Sequence, residues 1–400
     1  MKVMFLSTWF PYPPDNGARI RSYHIIKALS AKHDVYLISL LQDDSDPAQA
    51  ENLADICKVV SLHPSRWFKP GTLKSLLGYF SSRPRSAVDT FDPCVRSAVE
   101  STINDIKPDV IVASTLGMAE YAPHSPDILS ILDEHNCEHA VLRRNTEHIG
   151  SPLKRFRYTL GWKKFARWES AICRKFDTVI TVSKTDRQLL LQAAPDLKNV
   201  QVVTNGVDID HYNPNTRHPA PNALIYNGAM TYGANLDAIR YYAHEIYPLL
   251  RESEPDVKLH VTGRTDNVDL SGIADCPGVA FTGYIDDIRT ILAASSVCIV
   301  PLRQGGGSRL KILEAMAAGV PVVSTNVGAE GIEAADRKHL LIADSPRDFA
   351  DAILSVLSNE SIASELSANA RQLVEEKYSW STLGRMFVDI MESTRPTADI

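Results

Sequence analysis

Residues 295–333, SSVCIVPLRQGGGSRLKILEAMAAGVPVVSTNVGAEGIE, gather the groups best suited to holding an anion. Gly305, Gly306 and Gly307 let the main chain approach a ligand with no Cβ in the way. Ser308 reads as the N-cap of a helix expected over 308–318. The N-terminus of that helix offers unpaired N–H groups and a partial positive charge. Arg309 and Lys311 add full charges beside it. Lys311 and Glu314 stand three residues apart on the polar side, while Leu310, Leu313 and Ala317 share the side expected to pack inward. A cation near phosphates and a carboxylate one turn on suit a nucleotide, because the carboxylate can accept both hydroxyl protons of a ribose. A glycine loop next to a surface Lys–Glu pair has the same spacing, and spacing alone leaves both readings open.

The elements that position these groups are legible around them. The apolar run 297–302 has the composition of a buried parallel strand. Gly319 closes the helix, Pro321 blocks its continuation, and a second buried strand starts at Val322. The same alternation recurs along the chain. Strands are expected at 2–7, 35–41, 108–114, 128–132, 176–183 and 200–203, and again at 223–226, 258–262, 279–282 and 339–343. Helices are expected at 19–32, 348–357 and within 375–393. At 400 residues the chain is too long for one core, so two doubly wound α/β domains facing a cleft are expected. The first domain covers 1–213. A linker, 214–222, falls in the proline-rich NPNTRHPAPN, and the second domain covers 223–375.

The strand at 128–132 runs into Asp133-Glu134-His135-Asn136. Polar residues at the carboxyl end of a parallel strand sit where ligands bind in such sheets. An exposed histidine in a polar loop is the plainer reading. Two stretches, 67–91 and 154–168, mix aromatic and basic residues, with Gly161 interrupting the second. Such helices lie on anionic membranes or pack on their own domain.

Composition narrows the class. A hydrophobic content of 44% and a charged content of 22% are those of a soluble globular protein. The net charge of −6 argues against a nucleic-acid partner. Cys57, Cys94, Cys137, Cys173, Cys276 and Cys298 form no C-x-x-C pair, which indicates neither a zinc nor a thioredoxin-like site. Scattered thiols point to a reducing compartment. Residues 1–10 are too short an apolar run for a signal peptide, and no stretch reaches the length of a membrane span. A cytoplasmic protein is therefore expected. A nicotinamide enzyme would carry G-x-G-x-x-G after the first strand, and residues 1–17 lack it.

The run GGGSRLKILEAMAAGVPVVST resembles the donor-binding signature of retaining glycosyltransferases of family 4, which have the GT-B fold. The usual form has two glutamates separated by seven residues, ending in E-A-M-A-x-G-x-P-V-V. Glu314 matches the second glutamate, and Gly306 stands where the first would fall. The G-G-G-x-R-L-K variant is similar to a subgroup in bacterial surface-polysaccharide assembly. The resemblance implies transfer of a sugar from a nucleoside diphosphate donor to a sugar or lipid-linked hydroxyl acceptor, with retention of configuration. The donor would lie on the second domain and the acceptor on the first.

Residue by residue, the resemblance implies that Gly17 lets its helix approach the donor phosphates. D-E-H-N-x-E at 133–138 is similar to the family's catalytic loop, which nominates His135, with Asn136 and Glu138 as helpers. N-G-V-D at 205–208 marks the end of the first domain. Many relatives carry an arginine and a lysine after the glycine matching Gly228; here Ala229, Met230, Tyr232 and Asn235 follow. Their task falls to Arg309 and Lys311, or to Arg264. Tyr284 and Ile285 lie where the backbone faces the nucleobase. A C-terminal helix, 376–400, returns to the first domain. The donor is a substrate, so neither cofactor nor metal is expected, and the basic-aromatic stretches would place the enzyme at the inner face of an anionic membrane. A nucleotide-sugar epimerase of the same fold and a non-catalytic relative remain as alternatives, the latter given weight by Gly306.

Overall fold

In the computed structural model the described residues are 1–147, 149–304 and 309–394. They divide into two compact units. One comprises Met1–Thr204 together with the chain from Leu383 onward, and the other is Asn205–Thr382.

Among the described residues the first unit holds seven parallel strands, β1 (Lys2–Ser7), β2 (Asp34–Leu41), β3 (Lys58–Pro64), β4 (Val110–Ser114), β5 (Leu129–Glu134), β6 (Thr178–Thr181) and β7 (Val200–Val202). Their order is β3-β2-β1-β4-β5-β6-β7. The direction of winding reverses between β1 and β4, where Ser7 and Ser114 pair in register at the carboxyl ends. Central strands are covered on both faces, so Val3, Met4, Phe5 and Leu6 are all fully buried, as a continuous apolar run requires. β3 was not expected from the sequence. It is an edge strand, KVVSLHP, half-exposed, and has no apolar run to betray it.

The first helix starts at Gly17 rather than at residue 19, because Asn16 caps it by accepting from the Arg19 N–H. Gly161 does not interrupt its helix. Pro152–Cys173 runs unbroken over 22 residues, and the space where a Cβ of residue 161 would lie is open. A glycine there costs about 1 kcal/mol relative to alanine, which a helix of this length can carry.

In the second unit the described strands are β8 (Ala223–Asn227), β9 (Lys258–Thr262), β10 (Val279–Gly283), β11 (Val297–Val300), β12 (Val322–Ser324) and β13 (Leu341–Ile342). They are parallel, in the order β10-β9-β8-β11-β12-β13, and reverse between β8 and β11. The helix after β11 is Leu310–Ala317, with Arg309 in the cap position; Ser308, the expected cap, lies outside the described residues, as do Gly305, Gly306 and Gly307. Its packing is broader than the expected stripe. Ile312, Leu313, Ala315, Met316 and Ala317 are all buried. Gly319 does close the helix, in the left-handed region at φ +71°, where a side chain would be strained.

The units divide between Thr204 and Asn205, upstream of the expected boundary at 213. The reason is local pairing. Val207 bridges Ser379, accepts from Trp380 N–H and donates to Tyr378 O, which binds the N-G-V-D segment into the second unit. The same residues divide the expected helix over 375–393 into Glu360–Lys377 and Trp380–Thr394.

Candidate functional site

The carboxyl ends of β8 and β11 flank the point where the second sheet reverses, the position at which open α/β sheets bind ligands. Three side chains meet there. Asn227, the last residue of β8, donates to Glu314 Oε2 at 2.9 Å, and the Tyr212 hydroxyl donates to the same carboxylate. Burial raises the Glu314 pKa, and the bonds from Tyr212 and Asn227 and the charge of Lys311 oppose that rise. A carboxylate has about four lone-pair sites, so two donors leave room for a diol.

Lys311 lies one turn back on the same helix. Its Nζ donates to Asn235 Oδ1 at 3.1 Å and sits 3.9 Å from the centroid of the Tyr226 ring. Tyr226 Oη also donates to Asn235 Oδ1, at 2.6 Å, and Asn235 Nδ2 donates to Ala229 O at 2.8 Å, so the amide orientation is settled. Among the described residues no carboxylate reaches ion-pair distance of Lys311 Nζ. The Lys311 pKa lies at about 7, pushed down by burial and, less, by Arg309, against opposing contributions from Cys298 and Glu314. A desolvated ammonium without a counter-ion suits a phosphate.

Gly228 is placed against this ammonium. A Cβ there would lie 2.7 Å from Lys311 Nζ and 2.8 Å from Asn235 Nδ2. Lys311 thus lies against the loop that follows β8. Arg309 is buried and donates to Val327 O at 3.2 Å. Arg264 is exposed, with its guanidinium 5.7 Å from the Tyr284 ring; Tyr284 is 57% exposed and Ile285 half-buried. The structure therefore brings Gly228, Lys311 and Glu314 together and pairs Arg264 with Tyr284. Tyr212, Tyr226 and Asn227 were not singled out in the sequence. Asn227 carried a usable signal, being a polar residue at a strand's carboxyl end.

In the first unit the helix Gly17–Ser30 follows β1, with Gly17 as its first residue. Arg21 on that helix is fully buried and grips Asp133 at the end of β5, with Nε 2.8 Å from Oδ2 and Nη2 2.5 Å from Oδ1. Its Nη1 donates to Thr204 O at 3.1 Å. Burial pushes the Asp133 carboxyl up, but Arg21 and then His135 outweigh it and hold it well below the usual range. Arg19 is likewise committed, to Asp15 at 3.1 Å and Asp44 at 2.7 Å.

His135 Nε2 lies 3.2 Å from Asp133 Oδ2 and 3.1 Å from Ser114 Oγ. An ionised Asp133 only accepts, so we assign the proton to Nε2, which leaves Nδ1 as the lone pair of the neutral ring. The His135 side chain is 11% exposed. Glu138 opens the helix Glu138–Glu147. Burial, then Glu169, raise its pKa, and a hydrogen bond with Asn136 opposes them. Glu138 thus belongs electrostatically with Glu134, Glu169 and Asp186, while His135 belongs with Asp133 and Ser114.

Comparison with known proteins agrees with this architecture. A family model described as Glycosyltransferase Family 4 matches residues 15–211, and one described as Glycosyl transferases group 1 matches residues 221–359. The chain is similar to a 44.6 kDa protein in the cps region of Klebsiella pneumoniae, 23% identical over 94% of this chain and 96% of that one. Among solved structures it resembles a glycosyltransferase from Rickettsia africae, with TM-score 0.69 and 13% identity over 99% of both chains. It also resembles Anabaena Alr3699/HepE in complex with UDP and glucose, with TM-score 0.67 and 16% identity over 98% of this chain and 100% of that one.

Proposed function

The chain is a glycosyltransferase of the GT-B type, and on that premise we propose that it moves a sugar from a nucleoside diphosphate to a hydroxyl acceptor with retention of configuration. The observation that carries the reading is the placement of Lys311 and Glu314, one turn apart, beside Gly228 and Asn227 at the β8/β11 reversal. Glu314, oriented by Tyr212 and Asn227, accepts the two ribose hydroxyls. Lys311 meets the diphosphate, with the Gly228 backbone beside it. As the bond to the sugar breaks, charge grows on the leaving diphosphate; Lys311 and the N-terminus of the helix Leu310–Ala317 stabilise it, and Arg309 adds charge nearby. No metal is invoked for that step. His135 offers its Nδ1 lone pair to a sugar hydroxyl, with Asp133 and Ser114 fixing the ring.

The acceptor in this reading belongs to bacterial surface polysaccharide or glycoconjugate assembly, in line with the cps-region relative, and is carried on a lipid. The supporting feature is one exposed surface on the first unit. Phe80 is 92% exposed, Leu153 79% and Phe156 62%. Lys164 Nζ donates to Gly78 O at 2.7 Å, which joins the two basic-aromatic stretches into one face. Among the described residues no helix is long and apolar enough to cross a membrane; in this reading the exposed face rests on the lipid surface.

Thermal unfolding with uridine, guanosine and adenosine diphosphates, with and without Mg²⁺, tests the donor site. A ligand at a hundred times its Kd adds roughly 2.7 kcal/mol. We expect one base to raise Tm without Mg²⁺, and Glu314→Ala to lose that rise. Failure of all of them to raise Tm, or a shift unchanged in Glu314→Ala, overturns the assignment.

A further inference from the structure

Away from the donor site, the first unit buries a cluster that the transfer chemistry does not use. Cys137 and His139 lie on and just after the loop that follows β5, and Glu169 comes from the helix Pro152–Cys173. All three are buried, and their ligand atoms lie within 4.8 Å of one another. Cys137 Sγ is 3.4 Å from His139 Nδ1, which is also hydrogen-bonded to Glu169 Oε2. The His139 N–H donates to Glu169 Oε1 at 3.3 Å, which turns the carboxylate towards the loop.

An independent observation points to the same place. Glu134, the last residue of β5, is 1% exposed, and among the described residues no N–H or O–H reaches either of its carboxylate oxygens. Its neighbour is the Glu169 carboxylate, which it can satisfy only through a shared proton. Glu138 and Asp186 add their charge to the same cluster, and Cys173, one turn beyond Glu169, feels Glu134, Glu169 and Cys137. Burial, and then these carboxylates, push the Cys137 thiol far up. Buried carboxylates with an imidazole as the basic partner are costly unless a cation compensates them.

We propose that Cys137, His139 and Glu169 bind one zinc-class divalent cation, with the buried Glu134 carboxylate supplying negative charge beside it. The donor set selects the class. A thiolate, an imidazole and a carboxylate suit zinc, whereas magnesium and calcium take oxygen ligands. Zinc at about 2.3 Å from sulfur and about 2.1 Å from nitrogen separates the two ligand atoms by about 3.6 Å in a tetrahedron, close to the spacing found. The cation takes the place of the proton between His139 and Glu169 and of the one shared by the glutamates, and those protons, with that of the thiol, leave to solvent. No short motif announces the site, because Glu169 stands 30 residues from His139. Its ligand Cys137 and the neighbouring Glu134 bracket His135 and Asn136. The cation is thus a positioning device for the loop that carries His135, distinct from the donor chemistry.

The test uses the full chain, stripped with a chelator and titrated with Co²⁺. One equivalent should bind, with tetrahedral d–d bands and a thiolate-to-cobalt charge-transfer band that Zn²⁺ displaces. Cys137→Ser should lose the charge-transfer band and Cys94→Ser, at an exposed thiol, should keep it. Zinc-edge absorption of the wild-type protein should show one sulfur among nitrogen and oxygen ligands, which decides the matter even if Cys137→Ser fails to fold. Hydrogen exchange should slow over 133–139 when Zn²⁺ is restored and stay unchanged over 223–230. No charge-transfer band at saturating Co²⁺, a band that survives Cys137→Ser, or a sulfur-free shell overturns the proposal.

Discussion

Lys311 stands at the middle of its titration near neutrality, since burial has brought its pKa to about 7. A bound diphosphate favours the protonated amine, so binding above that value must take up a proton. Affinity for the nucleoside diphosphate should fall by up to about tenfold per pH unit above pH 7. Calorimetry in buffers of different ionisation enthalpy should register the uptake, and Lys311→Arg should flatten the profile. A flat wild-type profile would remove Lys311 from the phosphate site. The unliganded fold has the opposite slope. The folded-state pKa lies below the unfolded one, so the unfolded state binds more protons between them and stability rises with pH across that window. Lys311 and Glu314 were legible in the sequence because a helix sets their spacing three residues apart. Their partners were not: Tyr212 and Asn227 come from distant segments, and only the folded sheet puts them on the carboxylate.

Among the elements, the loops after β8 and β9 show two glycines with different duties. At Gly228 a Cβ meets the end of the Lys311 side chain, which can move, and the Asn235 amide, which three hydrogen bonds hold. Gly228→Ala should weaken nucleotide binding roughly tenfold or more, the loss of a charge-assisted contact, with a smaller loss of Tm than Gly263→Ala because side chains rather than backbone give way. At Gly263, with φ +110°, a Cβ meets backbone at 2.7 Å, so Gly263→Ala should lower stability by about 1–3 kcal/mol. Denaturant titration beside nucleotide affinity separates the two; equal Tm losses would contradict the assignment. The buried strands were readable because parallel strands covered on both faces must be apolar throughout. β3 escaped for the complementary reason, as an edge strand whose alternating residues carry little apolar signal. The helix Pro152–Cys173 was misjudged at Gly161 because propensity is a weak constraint on a long helix.

For the whole molecule, two doubly wound units follow from alternating strands and helices, but where one ends does not. The boundary at Thr204 depends on the pairing of Val207 with Ser379, contacts remote in sequence. The exposed basic-aromatic face makes a prediction of its own. The full chain should float with anionic vesicles at low salt and be released at high salt. Leu77→Glu with Phe80→Glu should abolish flotation and leave Tm unchanged, since both side chains are exposed; no flotation of the wild type ends the membrane reading. That face also makes the molecule electrically lopsided. Residues 66–88 and 152–168 contain no acidic side chain, yet the chain carries −6, so the rest holds all the acidic excess and more. An anionic lipid surface would repel the chain by its net charge and attract it by this face alone. It would turn before it lands, and arrive in one orientation.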